Sequence, residues 1–488
     1  MKKILTFIIA LIALSSLLAL SVFAETENEA KVGDVEYATL QEAIDAAQSG
    51  QTVVVLKDIT LTDTVTVAAK SSVVIDLAGY TVSFATDIRN KFMITNYGSL
   101  VIDDSSEGKT GTLHYSFTGE PDTSYGTGSY AINNYASSLV INNGTVISDT
   151  AGRAEDGASI SHAIYAVQLN NASFVMNGGN LYCPNGDAVR AFSNGSIAVN
   201  GGTIRGIRAI MLHLPSNNPS VAPIIDVNIT GGTLTSLRPS SGQSQNVIYS
   251  YSYGNSFENV NINISGGVFN GDIMLSGSST YPTPVSPVEK LTITGGTFNG
   301  YSCCVYAFSY NDEESIANIT ILGGTYNIKD YVEYYGYDDN ISFTDNGDGT
   351  YTAGITLEGA FTFLGFSVKE NDLTSITAGY RIDFEVVDMY CAQNGVSKFD
   401  FGCAFGIGSI VESTAISFAE YRDYGTYNVK IRNINPESET HLNAALALAL
   451  YVNVGDGKQY VVEIDDAIAF VAGNEVPTVT FGSYIPQN

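Results

Sequence analysis

Asp187, Arg190 and Arg208 bring reactive side chains into an otherwise mild middle section. Residues 158–300 hold five acids and five bases, including Arg205 and Arg238, in a chain whose 50 acidic and 22 basic residues give a formal charge of −28. A guanidinium pairs bidentately with a carboxylate, so arginines in a neutral zone point to an acidic glycan. Aromatic residues recur alongside them. Tyr165, Tyr249 and Tyr306 align with Arg190 and Met211 in one row, and Phe192, His213, Tyr251 and Phe308 align with Val167 in the next. Stacked about 4.8 Å apart, such rows make a flat platform for sugar rings. The binding residues expected are therefore Tyr165, Arg190, Phe192, Arg208, His213, Tyr249, Tyr251, Tyr306 and Phe308. The same side chains become packing if the strand phase is shifted, or if a loop such as Thr280–Pro287 covers them.

Catalysis on this face would use Arg190, Arg208 and Asp187. No cofactor and no metal is expected. The histidines at 114, 162, 213 and 441 lack zinc-type spacing. Asp187 and Asp272 share a row but stand three coils apart, roughly 14 Å, too far for one ion. In the loop from Asp345 to Thr350, Thr356 stands where a calcium site needs its bidentate Glu. Five cysteines do not make a disulfide scaffold in a chain of this size. Cys391 and Cys403 either pair across a hairpin turning at Asn394-Gly395 or stay unpaired and buried.

A repeat must position these residues. The octet Leu291-Thr292-Ile293-Thr294-Gly295-Gly296-Thr297-Phe298 has copies at Leu139–Val146, Phe174–Leu181, Ile197–Ile204, Val227–Leu234, Ile262–Phe269 and Ile319–Tyr326. Its second turn residue falls at Gly144, Gly179, Gly202, Gly232, Gly267, Gly296 and Gly324, at intervals of 35, 23, 30, 35, 29 and 28 residues. Periods of this size mark stacked units that cannot bury an apolar face singly. Period-two alternation within each copy, with no helical period between copies, predicts a parallel β-helix. Val146, Leu181, Ile204, Leu234, Phe269, Phe298 and Tyr326 then stack inward, and Asn142, Asn177 and Asn200 form a hydrogen-bonded ladder. A second recurring strand places Ile164, Val189, Ile210, Ile248 and Val305 in another inward column.

Thr39 with Glu42 is a capping box, and Leu40, Ala43, Ile44 and Ala47 share a helical face. Tyr37–Ala47 thus reads as a short helix covering the first coil. Early copies at Ser72–Gly79 and Leu100–Leu113 bring the total to about ten coils and the rod to roughly 50 Å. Asn346-Gly347 and Asp348-Gly349 close it with hairpin chemistry. Beyond Ile355, short alternating strands at Arg381–Val387, Phe399–Phe405, Thr426–Ile431, Ala447–Val454 and Gln459–Ile464 predict a small antiparallel β-sandwich. The fold class expected is all-β, with boundaries at 1–24 for a signal peptide, 25–353 for the β-helix and its cap, and 354–488 for the sandwich.

Lys2 and Lys3, the apolar run from Ile4 and the Val22-Phe23-Ala24 ending are signal-peptide features, with an N-terminal anchor as the alternative. A protein secreted, or loosely held at the cell surface, follows. Ala444–Val454 is too short to cross a bilayer, so no stable membrane insertion of the mature chain is expected. Its acidity repels nucleic acid.

Tyr37-Ala38-Thr39-Leu40-Gln41-Glu42-Ala43-Ile44, with Ile75-Asp76-Leu77-Ala78-Gly79-Tyr80, resembles the start of right-handed parallel β-helix proteins of the pectin-lyase-like superfamily. In particular it is similar to secreted or surface-exposed proteins of Gram-positive gut bacteria. Gly323–Tyr326 through Asp345–Tyr351 is similar to the exit of such proteins. Asn433–Glu437 and Ala449–Tyr460 resemble a C-terminal β-domain of clostridial surface proteins. The resemblance implies a right-handed coil, also the expected hand for parallel crossovers, and the superfamily includes lyases and hydrolases. Polygalacturonase-type motifs are incomplete here: Asp103-Asp104 lies in a long turn of an end coil, and no His is flanked by two glycines. The expected function is a non-enzymatic, adhesin-like or polysaccharide-binding scaffold engaging a host or bacterial surface glycan. A polysaccharide lyase or glycoside hydrolase acting on an acidic glycan is the alternative.

Overall fold

The computed structural model describes residues 27–119, 129–151, 164–191, 193–214, 224–237, 245–252, 260–276, 290–308, 319–330, 332–333, 341–357, 360–369, 372–397, 401–407, 412–415, 426–432, 446–454, 457–466 and 481–482. The chain divides into two compact units, residues 1–291 with 298–318 and residues 292–297 with 319–488. The expected signal peptide, Phe192, the Thr280–Pro287 loop and Asn433–Glu437 lie outside the described residues.

The first unit is a parallel β-helix. Each coil runs through three strand directions, so segments about a coil apart become vertical neighbours. Leu139 lies in register with Phe174, then Ile197, Val227 and Ile262. On the next row Val146, Leu181, Ile204, Leu234 and Phe269 stack in register and are fully buried. Phe298 continues that column, its ring centroid 4.8 Å from that of Phe269 at an interplanar angle of 7°. This is the inward stack expected from the repeat. On the third row the column is Val167, Val189, Ile210, Ile248, Ile273 and Val305. Ile164 is not part of it, because it pairs with Ser129.

Two glycines per turn have separate reasons. The second sits at positive φ in each copy of the octet, from +73° at Gly179 to +109° at Gly296, a region open to glycine at little cost. The first lies against the coil beneath: a Cβ on Gly201 would stand 2.5 Å from the Asn177 carbonyl oxygen. Beside the turns the asparagine ladder forms as expected. Asn177 Nδ2 donates to Asn142 Oδ1 at 2.9 Å, Asn200 Nδ2 to Asn177 Oδ1 at 2.9 Å, and Thr230 Oγ1 to Asn200 Oδ1 at 3.1 Å.

The entry to the unit is a helix at Leu40–Ala46 with the Thr39–Glu42 capping box formed and Leu40, Ala43 and Ile44 buried. Ala47, expected on that face, is instead the extended C-cap residue. An antiparallel hairpin, Ala30–Val32 with Val35–Tyr37, pairs with Gln51–Val55 and occupies the edge of the first sheet. Its three-residue strands are too short to show a period. Asp104, fully buried, accepts the N–H groups of Gly79, Ser106 and Gly111 at 2.9, 3.1 and 2.6 Å. Burial pushes its carboxyl up, but those donors outweigh it and hold the pKa below the ordinary range. The Asp103-Asp104 turn is thus an internal staple.

The second unit contains the last Gly-Gly turn, with Gly324 at φ +107° and Tyr326 fully buried. Gly324–Tyr326 pairs antiparallel with Tyr351–Ala353, and Ile341–Asp345 with Tyr351–Ile355, around Gly347 and Gly349 at φ +78° and +87°. The Asn-Gly/Asp-Gly hairpin is as expected. Residue 353 falls inside this unit. Farther on, Phe361–Lys369, Asp372–Ile382 and Thr426–Arg432 form a three-stranded antiparallel sheet, and Phe401–Ile407, Leu446–Val454 and Gly457–Asp466 are the centre of a five-stranded one.

Phe384–Asn394 is a helix, N-capped by Asp383 and ended by Gly395 at φ +66°, where a strand over Arg381–Val387 was expected. Val386, Val387 and Tyr390 share its buried face, a helical spacing hidden by the alternating residues before it. Asn394-Gly395 therefore ends a helix and turns no hairpin, with Cys391 half-buried in its last turns. Gln393 from this helix donates to the Leu322 carbonyl at 2.9 Å and accepts the Ile355 N–H at 2.7 Å. It thereby satisfies backbone groups that would otherwise lie open at a strand end.

Candidate functional site

The expected platform lies on the third row, and the structure assembles only part of it. Arg190, Met211, Tyr249, Met274 and Tyr306 stand one above another in successive coils. Met274 is the member the sequence reading missed, since its coil begins late, at Asp272. Tyr165 is not beneath Arg190; Gln168 is, and Tyr165 pairs with Tyr130 below and Asp187 above. Val167 likewise belongs to the inward column. An offset of three residues in Ile164–Asn170 changes the parity of that strand, which moves every side chain to the opposite face. His213, Tyr251, Ser276 and Phe308 do share a register.

Exposure divides the row in two. Gln168, Arg190 and Met211 are 9, 4 and 5% exposed, so the lower half is covered, contrary to the expected open face. Tyr249, Met274 and Tyr306 are half-buried and reach solvent.

Asp187 and Arg208 come together, though not as an open acid–base set. The Arg208 Nε and Nη2 donate to the two Asp187 carboxylate oxygens at 2.6 and 3.1 Å across adjacent coils. The guanidinium also stacks on Tyr249, 5.1 Å from its centroid. Asp187 is 3% exposed and Arg208 8%. Both have the strand parity of the core residues Val189 and Ile210, so the pair sits on the inner side of a bend where the register shifts between Cys183 and Asp187. A carboxylate with both oxygens occupied by a guanidinium is poorly placed to accept a proton from substrate. Asp272, 1% exposed, is also occupied. It accepts the N–H groups of Tyr301, Ser302, Cys303 and Cys304 between 2.8 and 3.3 Å. Among the described residues no group of acids, histidines and cysteines is arranged to hold a metal ion.

A further polar cluster escaped the sequence reading. On the second row His114 Nε2 meets Asp149 Oδ2 at 2.9 Å, with side chains 37% and 29% exposed. In register above His114 come Ile147, Tyr182 and Arg205, and the Arg205 guanidinium lies 4.9 Å from the Tyr182 ring centroid. The hydrogen bond that His114 donates to the Asp149 carboxylate raises the His114 pKa, against burial, which lowers it. At Asp149 burial acts upward, but His114 and Ser116 overcome it and the pKa is lowered. Stability from His114 is therefore lost as pH rises through its folded value, and stability from Asp149 is lost as pH falls through its own. The pair contributes fully between about pH 4 and 6.5. An NMR titration should find the His114 imidazole above 6.5, returning toward that value in Asp149→Asn; an unshifted imidazole in the parent chain would contradict the pair.

No protein-family model, curated protein or solved structure matches the chain. No helix among the described residues is long and apolar enough to cross a membrane.

Proposed function

We propose that the protein is a secreted, non-enzymatic β-helix scaffold of the pectin-lyase-like kind that binds polysaccharide, with adhesin-like use at or near a cell surface. The observation that carries this reading is the solvent-reaching row Tyr249, Met274 and Tyr306, in register on three successive coils. Each coil offers one flat or polarizable group to a sugar ring, at the strand spacing of about 4.8 Å. Arg208, behind Tyr249, is neutralised by Asp187, but the balanced charge of residues 158–300 repels an acidic glycan less here than elsewhere on a chain of net charge −28. Secretion rests on the Met1–Ala24 leader features. In a glycan-array measurement on the purified chain, Tyr249→Ala/Tyr306→Ala should lose roughly tenfold or more in retention. Unchanged retention would remove the platform.

The His114–Asp149 pair favours a second reading, a polysaccharide lyase or glycoside hydrolase. An imidazole oriented by a carboxylate is a general-base arrangement, and Arg205 on Tyr182 stands on the same row. This reading requires release of unsaturated or reducing sugar from an acidic polysaccharide, abolished by His114→Ala. A scaffold retains the same polysaccharide without consuming it.

A further inference from the structure

At the corner where the third strand of one coil leads into the first strand of the next, two tyrosines stand out from the surface. Tyr97 and Tyr135, on successive coils, are 44% and 48% exposed, with ring centroids 6.0 Å apart at 69°. Along the same corner a shallow cleft of about 450 Å³ crosses the following coils, lined in part by Ser137, Ser138, Asn171, Ser173, Asn194 and Ser196. Ser99, Ser138, Ser173 and Ser196 form a vertical column, and the half-buried Val101, Val140 and Val175 form another beside it. Every described residue lining the cleft is uncharged, in a chain of net charge −28.

The backbone here is fixed from within. Asn96 and Asn134 are fully buried: Asn96 Nδ2 donates to Asn134 Oδ1 at 2.6 Å, Asn134 Nδ2 to the Ser173 carbonyl at 2.9 Å, and Ser137 Oγ to Asn134 Oδ1 at 2.5 Å. A surface held this way has little freedom to lose on binding, so its contacts are pre-organised.

We propose that this corner binds a neutral, unbranched polysaccharide, on a row distinct from Tyr249 and Tyr306. The tyrosine rings take the faces of sugar rings at one end, and the serine and asparagine side chains exchange hydrogen bonds with hydroxyls along the cleft. Coils spaced about 4.8 Å apart offer roughly one set of partners per sugar. Charge selects against the acidic alternative, because no cation among the described residues of the cleft offsets the repulsion of an acidic chain.

Calorimetric titration of the purified full chain with cellohexaose, mannohexaose, xylohexaose and an oligogalacturonate tests this. At least one neutral hexasaccharide should bind and the oligogalacturonate should not compete for it. Tyr97→Ala/Tyr135→Ala should weaken binding roughly tenfold or more, and Ser173→Gln, which fills the cleft without touching the tyrosines, should weaken it as well. Tyr249→Ala/Tyr306→Ala should leave it unchanged, which separates this site from the proposed acidic-glycan platform. The inference is overturned if no neutral hexasaccharide binds, or if binding survives both corner variants. It is also overturned if light scattering shows that the tyrosine pair joins two copies of the chain and is buried there.

Discussion

Asp187→Ala is expected to destabilise the first unit by about 3–5 kcal/mol, the usual loss when one partner of a buried ion pair is removed. The two carboxylate oxygens hold Nε and Nη2 of Arg208 at 2.6 and 3.1 Å, and neither residue is more than 8% exposed. Without Asp187 the guanidinium keeps its stack on Tyr249 but loses its counter-charge in a poorly solvated corner. The double variant Asp187→Leu/Arg208→Met should recover most of the loss, since apolar groups of similar volume often replace a buried pair at little cost. Urea denaturation of the parent chain and the two variants reads the difference. A single-variant loss below about 1 kcal/mol would place the pair in the energetic class of surface ion pairs, and the corner would then be open.

A second large effect concerns the Gly-Gly turns, and two glycines with nearly the same backbone isolate it. Gly50 and Gly202 have φ +80° and +78°. A Cβ on Gly50 meets nothing within 4 Å, whereas one on Gly202 would lie 2.7 Å from the carbonyl carbon of Gly178 and the carbonyl oxygen of Gly179. Alanine at either position bears the left-handed strain of about 1–2 kcal/mol. Gly202→Ala must also force two coils apart, adding roughly 1–3 kcal/mol, with failure to fold as the extreme. Equal losses for the two variants would mean that the coils do not press on each other at the turns.

Why the turns were legible and the site only partly so follows from the range of each signal. A glycine at positive φ and a fixed alternation are local, and they recur, so Gly144 through Gly324 disclosed the repeat and its inward columns. The capping box at Thr39 is equally local. Pairings such as His114–Asp149 and Asp187–Arg208 join residues 35 and 21 positions apart; only the register, set by insertions of unequal length, brings them together. Tyr165 shows how sensitive that is. Both parities of Ile164–Asn170 present apolar residues, so alternation did not fix which face was inward, and the observed offset replaced Tyr165 by Gln168. Exposure is less local still: the burial of Arg190, 4% exposed, depends on the whole of its surroundings and not on its own strand. Helix Phe384–Asn394 was hidden for another reason: its caps, Asp383 and Gly395, were readable, but its Phe-Glu-Val start continued the strand rhythm of Asp372–Ile382.

The most direct measurement asks whether neighbours in space are the residues that the repeat aligns. Ser173 lies over Ser138 and under Ser196, all on the outer side of the first row. In Ser173→Cys/Ser196→Cys the two positions are about 4.8 Å apart, within the reach of a disulfide. In Ser138→Cys/Ser196→Cys they are roughly 10 Å apart and beyond it. Mild oxidation followed by peptide mapping should find the first link formed in the folded chain and the second absent. Absence of the 173–196 link, or equal yields of the two, would contradict the stacked coil on which the tyrosine row, the corner cleft and the buried pair all depend.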